Sequence, residues 1–462
     1  MHVTLKDLAE RFPEFRIKNY SDNAFFEGFS HDSRTVNENE IFIPIIGEKF
    51  DGHNYIYEAF ENGASMAICV EEKYDRDWDG LNMPIIIVKS IEDGLQKILN
   101  YAISHITAPV VGITGSTGKT STKQMLITIL RSQMKVLHAD KSNTVWGNAV
   151  ILSQYDDHDV VVLECAMDRK GEIAWHVNSV DPDLGILLNI GHVHAENVGG
   201  GVEDVYREKK DLADYMERTG KPLVLNIDDE RLVRIYENYR EDSELITFGQ
   251  RGDADFVISD IKVDKSGTHF KFSYYDNTLT VNLKVFGEGY AYNAMAAIIA
   301  GNRLGVSIDN CIKGVELFEN NNGRFEKLKF GNRITIINDA YNANPTSMKM
   351  ALKTFDKVYS TDDYHRIVVL GDMKELGEVS SEQHGLLGKV AKSFSFDELY
   401  YVGDMYSDFS TGENLESSDE VAAMLNIRFE EIKDRNIAVL LKSSNSIGLY
   451  QVPDFLKKLG VV

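Results

Sequence analysis

Residues 112–121 read Gly-Ile-Thr-Gly-Ser-Thr-Gly-Lys-Thr-Ser, a run whose residue types point to phosphate binding. Glycines let the backbone curl so that successive N–H groups and the start of a helix face an anion. Lys119 adds a point charge, and the hydroxyl of Thr120 can ligate magnesium. Gly115, Ser116, Thr117, Gly118, Lys119, Thr120 and Ser121 are therefore the expected cradle for a nucleotide's phosphates. In the strict G-x-x-x-x-G-K-T spacing the first glycine would fall at Ile113, so this loop is a variant of the pattern.

Other candidates sit at the ends of apolar runs. Glu164 nearly closes the run DVVVLEC over 159–165, at the carboxyl edge where parallel sheets collect ligands. A carboxylate there can hold Mg²⁺, a hard ion that prefers oxygen. Read alone, such a Glu serves more often as a helix cap or surface charge. His192 and His194 follow the next run, LGILLN over 184–189. Two nearby histidines suit a transition metal, but with no cysteine beside them a solvent-facing role is at least as common. Arg207-Glu-Lys-Lys210 reads as a solvated helix face. Farther on, Asn338-Asp339-Ala-Tyr341-Asn342-Ala-Asn344-Pro345 and Gly371-Asp372-Met-Lys-Glu375-Leu-Gly377 each follow a strand-like run. Their Asp and Asn residues can cap helices, and together the two clusters suggest a second sheet edge facing the phosphate loop across a cleft.

The elements that must position these residues follow from the apolar pattern. Residues 1–107 mix short apolar stretches (41–46, 67–70, 85–88) with a helical pattern at 56–62, the texture of a small α/β domain. From Pro109 a buried-strand run, the glycine loop and an amphipathic helix over 121–132 open a nucleotide-type domain. Runs at 159–165, 184–189 and 223–226, with helical stretches between them, predict a mainly parallel sheet. Residues 256–286 alternate apolar and polar positions around Lys265-Ser266-Gly267 and Asp276-Asn277, which predicts antiparallel hairpins forming an inserted β element. A helix over about 290–304 and the polar boundary Glu319-Asn-Asn-Asn-Gly323 come next. Strand runs at 334–338, 367–371, 399–403 and 437–441 make a third α/β domain.

Composition narrows the function classes. With 462 residues, 43% hydrophobic and 10% aromatic, the chain can bury several cores, and 8 prolines leave little room for linkers. Seventy-two acidic against 49 basic residues give a net charge of -23, which disfavours nucleic-acid binding. Cys69, Cys165 and Cys311 are scattered singly, without zinc-site or disulfide spacing. The N-terminus lacks a signal-peptide core, and no apolar run approaches the ~20 residues of a membrane span. A cytoplasmic protein acting on small molecules, without membrane insertion and as a monomer, is expected.

These motifs, in this order, resemble the Mur ligases, ATP-dependent amide-forming enzymes of peptidoglycan assembly, over nearly the whole chain. The resemblance implies an α/β protein of three domains. A small N-terminal α/β domain (1–107) would bind a UDP-linked substrate. A central P-loop-type ATPase domain (108–324) would have a mainly parallel sheet with an antiparallel β insertion, and a Rossmann-like α/β ligase domain (325–462) would follow. Residue by residue, it assigns the glycine loop and Lys119 to ATP. Thr120, Glu164, His194 and Lys209 would serve two Mg²⁺ sites, with Lys209 carbamylated, and Lys119, Glu164, His194 and Lys209 would form the catalytic set. Asn293 is assigned to adenine, Asp339 to ribose and Arg324 to the nucleotide phosphates. Ser33 and Arg34 of Asp32-Ser-Arg, Asp51 and His53 of Asp51-Gly-His, Asn143, Tyr341, Asn342 and Asn344 are assigned to substrate. Within the family the segments Asp339–Met348 and Gly371–Gly377 are most similar to the branch that adds D-alanyl-D-alanine to a UDP-N-acetylmuramoyl-tripeptide through an acyl phosphate.

The chain departs from that branch where substrate is concerned. Lys141-Ser-Asn143-Thr-Val-Trp146-Gly147-Asn148 stands in place of an Asn-Asn pair before Gly-x-Pro. Cys165-Ala166 and Asp168-Arg169-Lys170 replace Met-Gly and Asn-His-Pro, Gly289-Tyr290 replaces His-Asn, and Lys442-Ser-Ser-Asn445 replaces Lys-Gly-Ser-Arg. ATP and metal roles tolerate these changes better than acceptor identity does. Trp146 and Arg169 are candidates to shape an unusual acceptor pocket, against the plainer roles of a core tryptophan and a surface arginine. A ligase of the same chemistry coupling a different carboxylate and amine is the alternative.

Overall fold

Val110–Thr114 is buried at every position, the mark of a strand covered on both faces. It lies inside a nine-stranded sheet, with Val160–Glu164 on one side and Leu184–Leu187 on the other, all parallel. Beyond Leu184–Leu187 come Leu223–Asn226 and Leu245–Gly249, and Val136–His138 closes the opposite edge. This computed structural model describes residues 2–47, 50–139, 143–191, 195–320, 323–374, 376–406 and 413–461.

The antiparallel hairpins expected over 256–286 are present as Phe256–Asp264, Gly267–Tyr274 and Asn277–Leu283. They continue the central sheet: Phe256–Asp264 pairs in parallel with Leu245–Gly249. Residues 16–88 hold a separate five-stranded sheet, parallel except for Arg16–Lys18 at one edge. Residues 326–442 hold a six-stranded sheet, parallel except for Glu326–Phe330.

Packing fixes the helix that follows the glycine loop. Lys119–Leu130 buries Met125, Leu126, Ile129 and Leu130 in the main core, against the alanine-rich helix Gly289–Arg303. Close approach is possible because the facing residues are glycines. A Cβ on Gly314 would lie 2.7 Å from the Ile129 Cα, and one on Gly301 2.8 Å from its Cγ2. Two helices thus grip the phosphate-loop helix at Ile129, leaving its N-terminus at the sheet edge.

The N-terminal sheet joins the central unit through a shared core in which Phe29 and Ile41 pack in one cluster with Val145, Ala149 and Trp175. The Phe29 N–H donates to the Ser153 hydroxyl at 2.8 Å. The C-terminal sheet is covered by Pro345–Val358, whose Phe355 shares a core with Val263 and Phe286 of the central unit. Among the described residues no helix is long and apolar enough to cross a membrane.

Candidate active site

The glycine loop is built as strand, turn and helix. Gly118 caps Lys119–Leu130 in the left-handed region, at φ 84°, which glycine adopts without strain. A Cβ there would also fall 2.3 Å from Asn293 Oδ1, so a larger residue would push the Asn293 amide aside. Asn293, assigned to adenine, therefore lies directly against the phosphate loop. The next strand's end holds the loop from the other side. Asn189 Oδ1 accepts the Thr117 N–H at 2.8 Å and its Nδ2 donates to the Thr117 carbonyl, while the Ser116 hydroxyl donates to Gly191 O and accepts its N–H. Asn189 carries no motif signal beyond its place after a strand run.

Lys119 folds back on its own loop, donating to the Gly115 carbonyl at 2.7 Å. Burial lowers its pKa, Glu164 opposes that shift, and Arg324 adds to it. Glu164 ends the neighbouring strand and is buried. Its Oε2 accepts the Thr120 hydroxyl at 3.1 Å, and its Oε1 lies 2.9 Å from the Lys123 ammonium. Lys123, one helical turn beyond Lys119, is itself buried. A lysine in a helix reads as a surface residue, so the sequence offered no signal for it.

Lys209 lies on the buried face of Val202–Thr219, whereas its neighbours Arg207 and Lys210 pair with Asp204 and Asp214 outside. The solvated-face reading of 207–210 thus holds for the flanking cations and fails for Glu208 and Lys209, which face the core. Burial drives the Lys209 pKa well down, helped by repulsion from Lys119. Among the described residues its Nζ has no hydrogen-bond or carboxylate partner. Cys165 stands beside it, its thiol pushed up to about 12 by burial and by Glu164. His194, together with His192, lies outside the described residues.

Just before the first strand of the third sheet stands Arg324, whose Nη2 donates to the Thr120 hydroxyl at 3.3 Å while its guanidinium rests 4.0 Å over the Tyr341 ring. Asp339 accepts the Phe325 N–H at 3.0 Å and pairs with Lys442 at 3.0 Å. Burial raises its pKa, and Lys442 opposes that shift. Lys442 also donates to the Asn342 carbonyl. Asn344 caps Pro345–Val358 through Ser347 N–H, so its polar atoms serve the helix, and Asn342 Oδ1 accepts the Ala343 N–H.

The N-terminal candidates form a separate group. Ser33 donates to Glu58 at 2.8 Å, and Arg34 forms a bidentate pair with Asp32 on the surface. His53 is buried with both ring nitrogens engaged, one on Asp51 at 2.6 Å and one accepting the Val70 N–H. Against the effect of burial, Lys73 and His53 hold the Asp51 carboxyl down at about 2. Asn143 is exposed. Between this sheet and the central one lies a cavity of about 250 Å³ lined in part by Ile45, Ile91, Trp146 and Arg169, so the two residues singled out as acceptor-pocket candidates share one space.

Loop amides, buried lysines and a neighbouring arginine converge where the carboxyl ends of two central strands meet, an arrangement suited to a polyanion such as a nucleoside triphosphate. Three family models match the chain: "Mur ligase family, catalytic domain" over 26–105, "Mur ligase middle domain" over 113–301 and "Mur ligase, glutamate ligase domain" over 323–445. The chain belongs to the Mur ligase family. Among curated relatives, the UDP-N-acetylmuramoyl-tripeptide--D-alanyl-D-alanine ligase of Bacillus subtilis (strain 168) is 29% identical, over 88% of this chain and 87% of that protein. The MurF ligase of Thermotoga maritima, solved in complex with ADP, superposes with a TM-score of 0.80 at 26% identity, covering 93% of this chain and 97% of that one. The Acinetobacter baumannii UDP-N-acetylmuramoylalanyl-D-glutamyl-2,6-diaminopimelate--D-alanyl-D-alanyl ligase has the same fold, with a TM-score of 0.82 at 24% identity over 99% of both chains.

Within this Mur ligase, Thr120 and Glu164 present adjoining oxygens and fit a hard divalent cation. The Lys123 ammonium neutralises Glu164 from the other side. Removing one member of a buried pair strands the other's charge, so Lys123→Met should lower stability by about 3 kcal/mol. The double variant Lys123→Met/Glu164→Gln should recover most of that loss. Urea unfolding midpoints measure both, and a single variant as stable as the parent would contradict the pairing.

Proposed function

We propose that this Mur ligase joins the terminal carboxylate of a UDP-N-acetylmuramoyl-tripeptide to the amine of D-alanyl-D-alanine at the expense of ATP. The observation that carries this reading is the convergence of Lys119, Thr120, Glu164 and Arg324, from three separate stretches of the chain, at the carboxyl end of the central sheet. Similarity to ligases named for that reaction runs through all three sheets and supports it. Peptidoglycan precursor synthesis in the cytoplasm is the setting that these substrates imply.

In the proposed reaction the acceptor carboxylate attacks the γ-phosphorus of ATP, and ADP leaves. The amine then attacks the acyl phosphate, expelling inorganic phosphate and losing a proton as the amide forms. Lys119 and the loop amides hold the phosphates and offset charge on the phosphoryl oxygens during transfer. Arg324, at the boundary with the C-terminal unit and stacked on that unit's Tyr341, adds a cation, so the unit's approach helps complete the site and exclude water from the acyl phosphate. Asn293 and Asp339 fit adenine and ribose by their places beside Gly118 and Arg324. The metal-holding residues would be Thr120 and Glu164 for one Mg²⁺, and Glu164, His194 and a carbamylated Lys209 for the other. Bound there, Mg²⁺ supplies Lewis-acid charge to the phosphoryl oxygens.

Carbamylation suits Lys209 because only the neutral amine attacks CO₂, forming an N–C bond and releasing a proton. An unperturbed lysine of pKa ~10.4 is almost wholly charged at neutral pH, whereas burial lowers this one. The neutral fraction grows as pH rises through that lowered value, so dependence on dissolved CO₂ or bicarbonate should be steepest on the acid side. Lys209→Ala should lose nearly all turnover with its unfolding midpoint retained, and turnover like that of the parent would remove the role.

Phosphate release from ATP, measured with UDP-N-acetylmuramoyl-tripeptide with and without D-alanyl-D-alanine, tests the reaction. Release that needs both substrates, with a pentapeptide product by mass, is expected. Bound ATP without any product would favour the alternative, a ligase for another carboxylate and amine, which the cavity between Trp146 and Arg169 already keeps in view.

A further inference from the structure

The cavity between the N-terminal and central sheets has a charge pattern that the ligase chemistry itself does not require. At about 250 Å³ it falls below the ~300–1,000 Å³ of sites that enclose drug-sized ligands, so it suits one side chain rather than a nucleotide. Ile45, Ile91 and Trp146 supply an apolar wall, and Glu92, Asp168 and Arg169 supply charge. Asp168 and Arg169 stand in the segment where the family's D-alanyl-D-alanine-adding branch carries Asn-His-Pro.

The polar wall is held in place. Glu172, buried, accepts the backbone N–H groups of Asp168 and Arg169, and Glu208 accepts that of Gly171 at 2.7 Å. Those two carboxylates therefore act on the loop backbone. Arg169 lies 5.6 Å over the Trp175 ring, Trp175 packs edge-on against Trp146 at 4.9 Å, and the Trp175 indole N–H donates to the Glu92 carbonyl at 3.1 Å. Arg169 and Glu92 thus hang from one tryptophan and meet through a single 3.4 Å contact, both about half exposed. Such a pair is weak and opens readily for a better-matched partner.

The cavity is also next to the chemistry. Its loop continues the strand that ends in Glu164, and Glu208, which braces that loop, directly precedes Lys209. The acceptor residue that bears the reacting carboxylate would project its side chain here. A cation beside two carboxylates, at the end of an apolar wall, matches an apolar stem ending in both an ammonium and a carboxylate.

Resting on the proposed ligase reaction, we infer that this cavity selects an acceptor whose last residue carries a zwitterionic amino-acid head. Arg169 takes its carboxylate, and Glu92 takes its ammonium, beside Asp168, whose Oδ1 already accepts the Asn197 amide at 2.8 Å. A terminal 2,6-diaminopimelate has such a head, and a terminal lysine offers the ammonium alone.

Steady-state kinetics with UDP-N-acetylmuramoyl-tripeptides ending in 2,6-diaminopimelate or lysine test this. The parent enzyme should favour the diaminopimelate acceptor by about tenfold or more in kcat/KM. Arg169→Leu should bring that ratio close to one, and Arg169→Lys should keep part of it because a cation remains. A purely structural role for Arg169 would slow both acceptors equally, and that result, or equal use of both by the parent, would overturn the inference while leaving the ligase reading standing. Turnover with neither acceptor, in a folded protein that binds ATP, would defeat the ligase reading and this inference with it.

Discussion

The site depends on one buried carboxylate among cations. Glu164 ends a strand where no water shell can stabilise its charge, and the Lys123 ammonium and Thr120 hydroxyl take that place. Lys119 is nearby and Lys209 is buried, and Lys119 makes Lys209 harder to protonate. The cations Lys119, Lys123 and Arg324, gathered around Glu164 in a low-dielectric corner of a chain with net charge -23, are unstable company unless a polyanion joins them. The requirement for phosphate is thus written into the electrostatics of the sheet edge as well as into the glycine loop.

Everything around that corner serves to hold it. Gly301 and Gly314 let two helices close on Ile129, which fixes the direction in which Lys119–Leu130 starts. Asn189 and Ser116 pin the loop to the neighbouring strand. On the other side of the cleft, Gly323 at φ 70° and Phe325 at φ 54° bracket Arg324. A left-handed non-glycine residue costs roughly 1–2 kcal/mol. Phe325 offsets that through its N–H bond to Asp339 and its packing against Phe286. The strained turn is what carries a guanidinium from one sheet to the phosphate loop of another.

Much of this was legible in the sequence. Buried parallel strands are continuous apolar runs, so Val110–Thr114, Val160–Glu164 and Leu223–Asn226 stood out, as did the alternation of the 256–286 hairpins. Val136–His138 and Leu245–Gly249 did not, because short, part-buried strands lack both signatures. The hairpins' place in the main sheet was hidden as well, since pairing partners leave no trace in local pattern. Motif spacing pointed to the loop and a strand end to Glu164, while Lys209 entered only through the family resemblance; none of these could tell that Ser33 and His53 satisfy their polar atoms internally or that Asn344 caps a helix. Lys123 escaped for a different reason. Only tertiary contact distinguishes a lysine that neutralises a buried carboxylate from one that reaches into water.

The central claim is that this sheet edge transfers the terminal phosphoryl group of ATP to a carboxylate, and isotope transfer tests it most directly. A UDP-N-acetylmuramoyl-tripeptide labelled with ¹⁸O in its terminal carboxylate should, on turnover with ATP and D-alanyl-D-alanine, deliver one labelled oxygen to the inorganic phosphate released. Label-free phosphate, or label appearing in AMP, would contradict an acyl phosphate formed at this site.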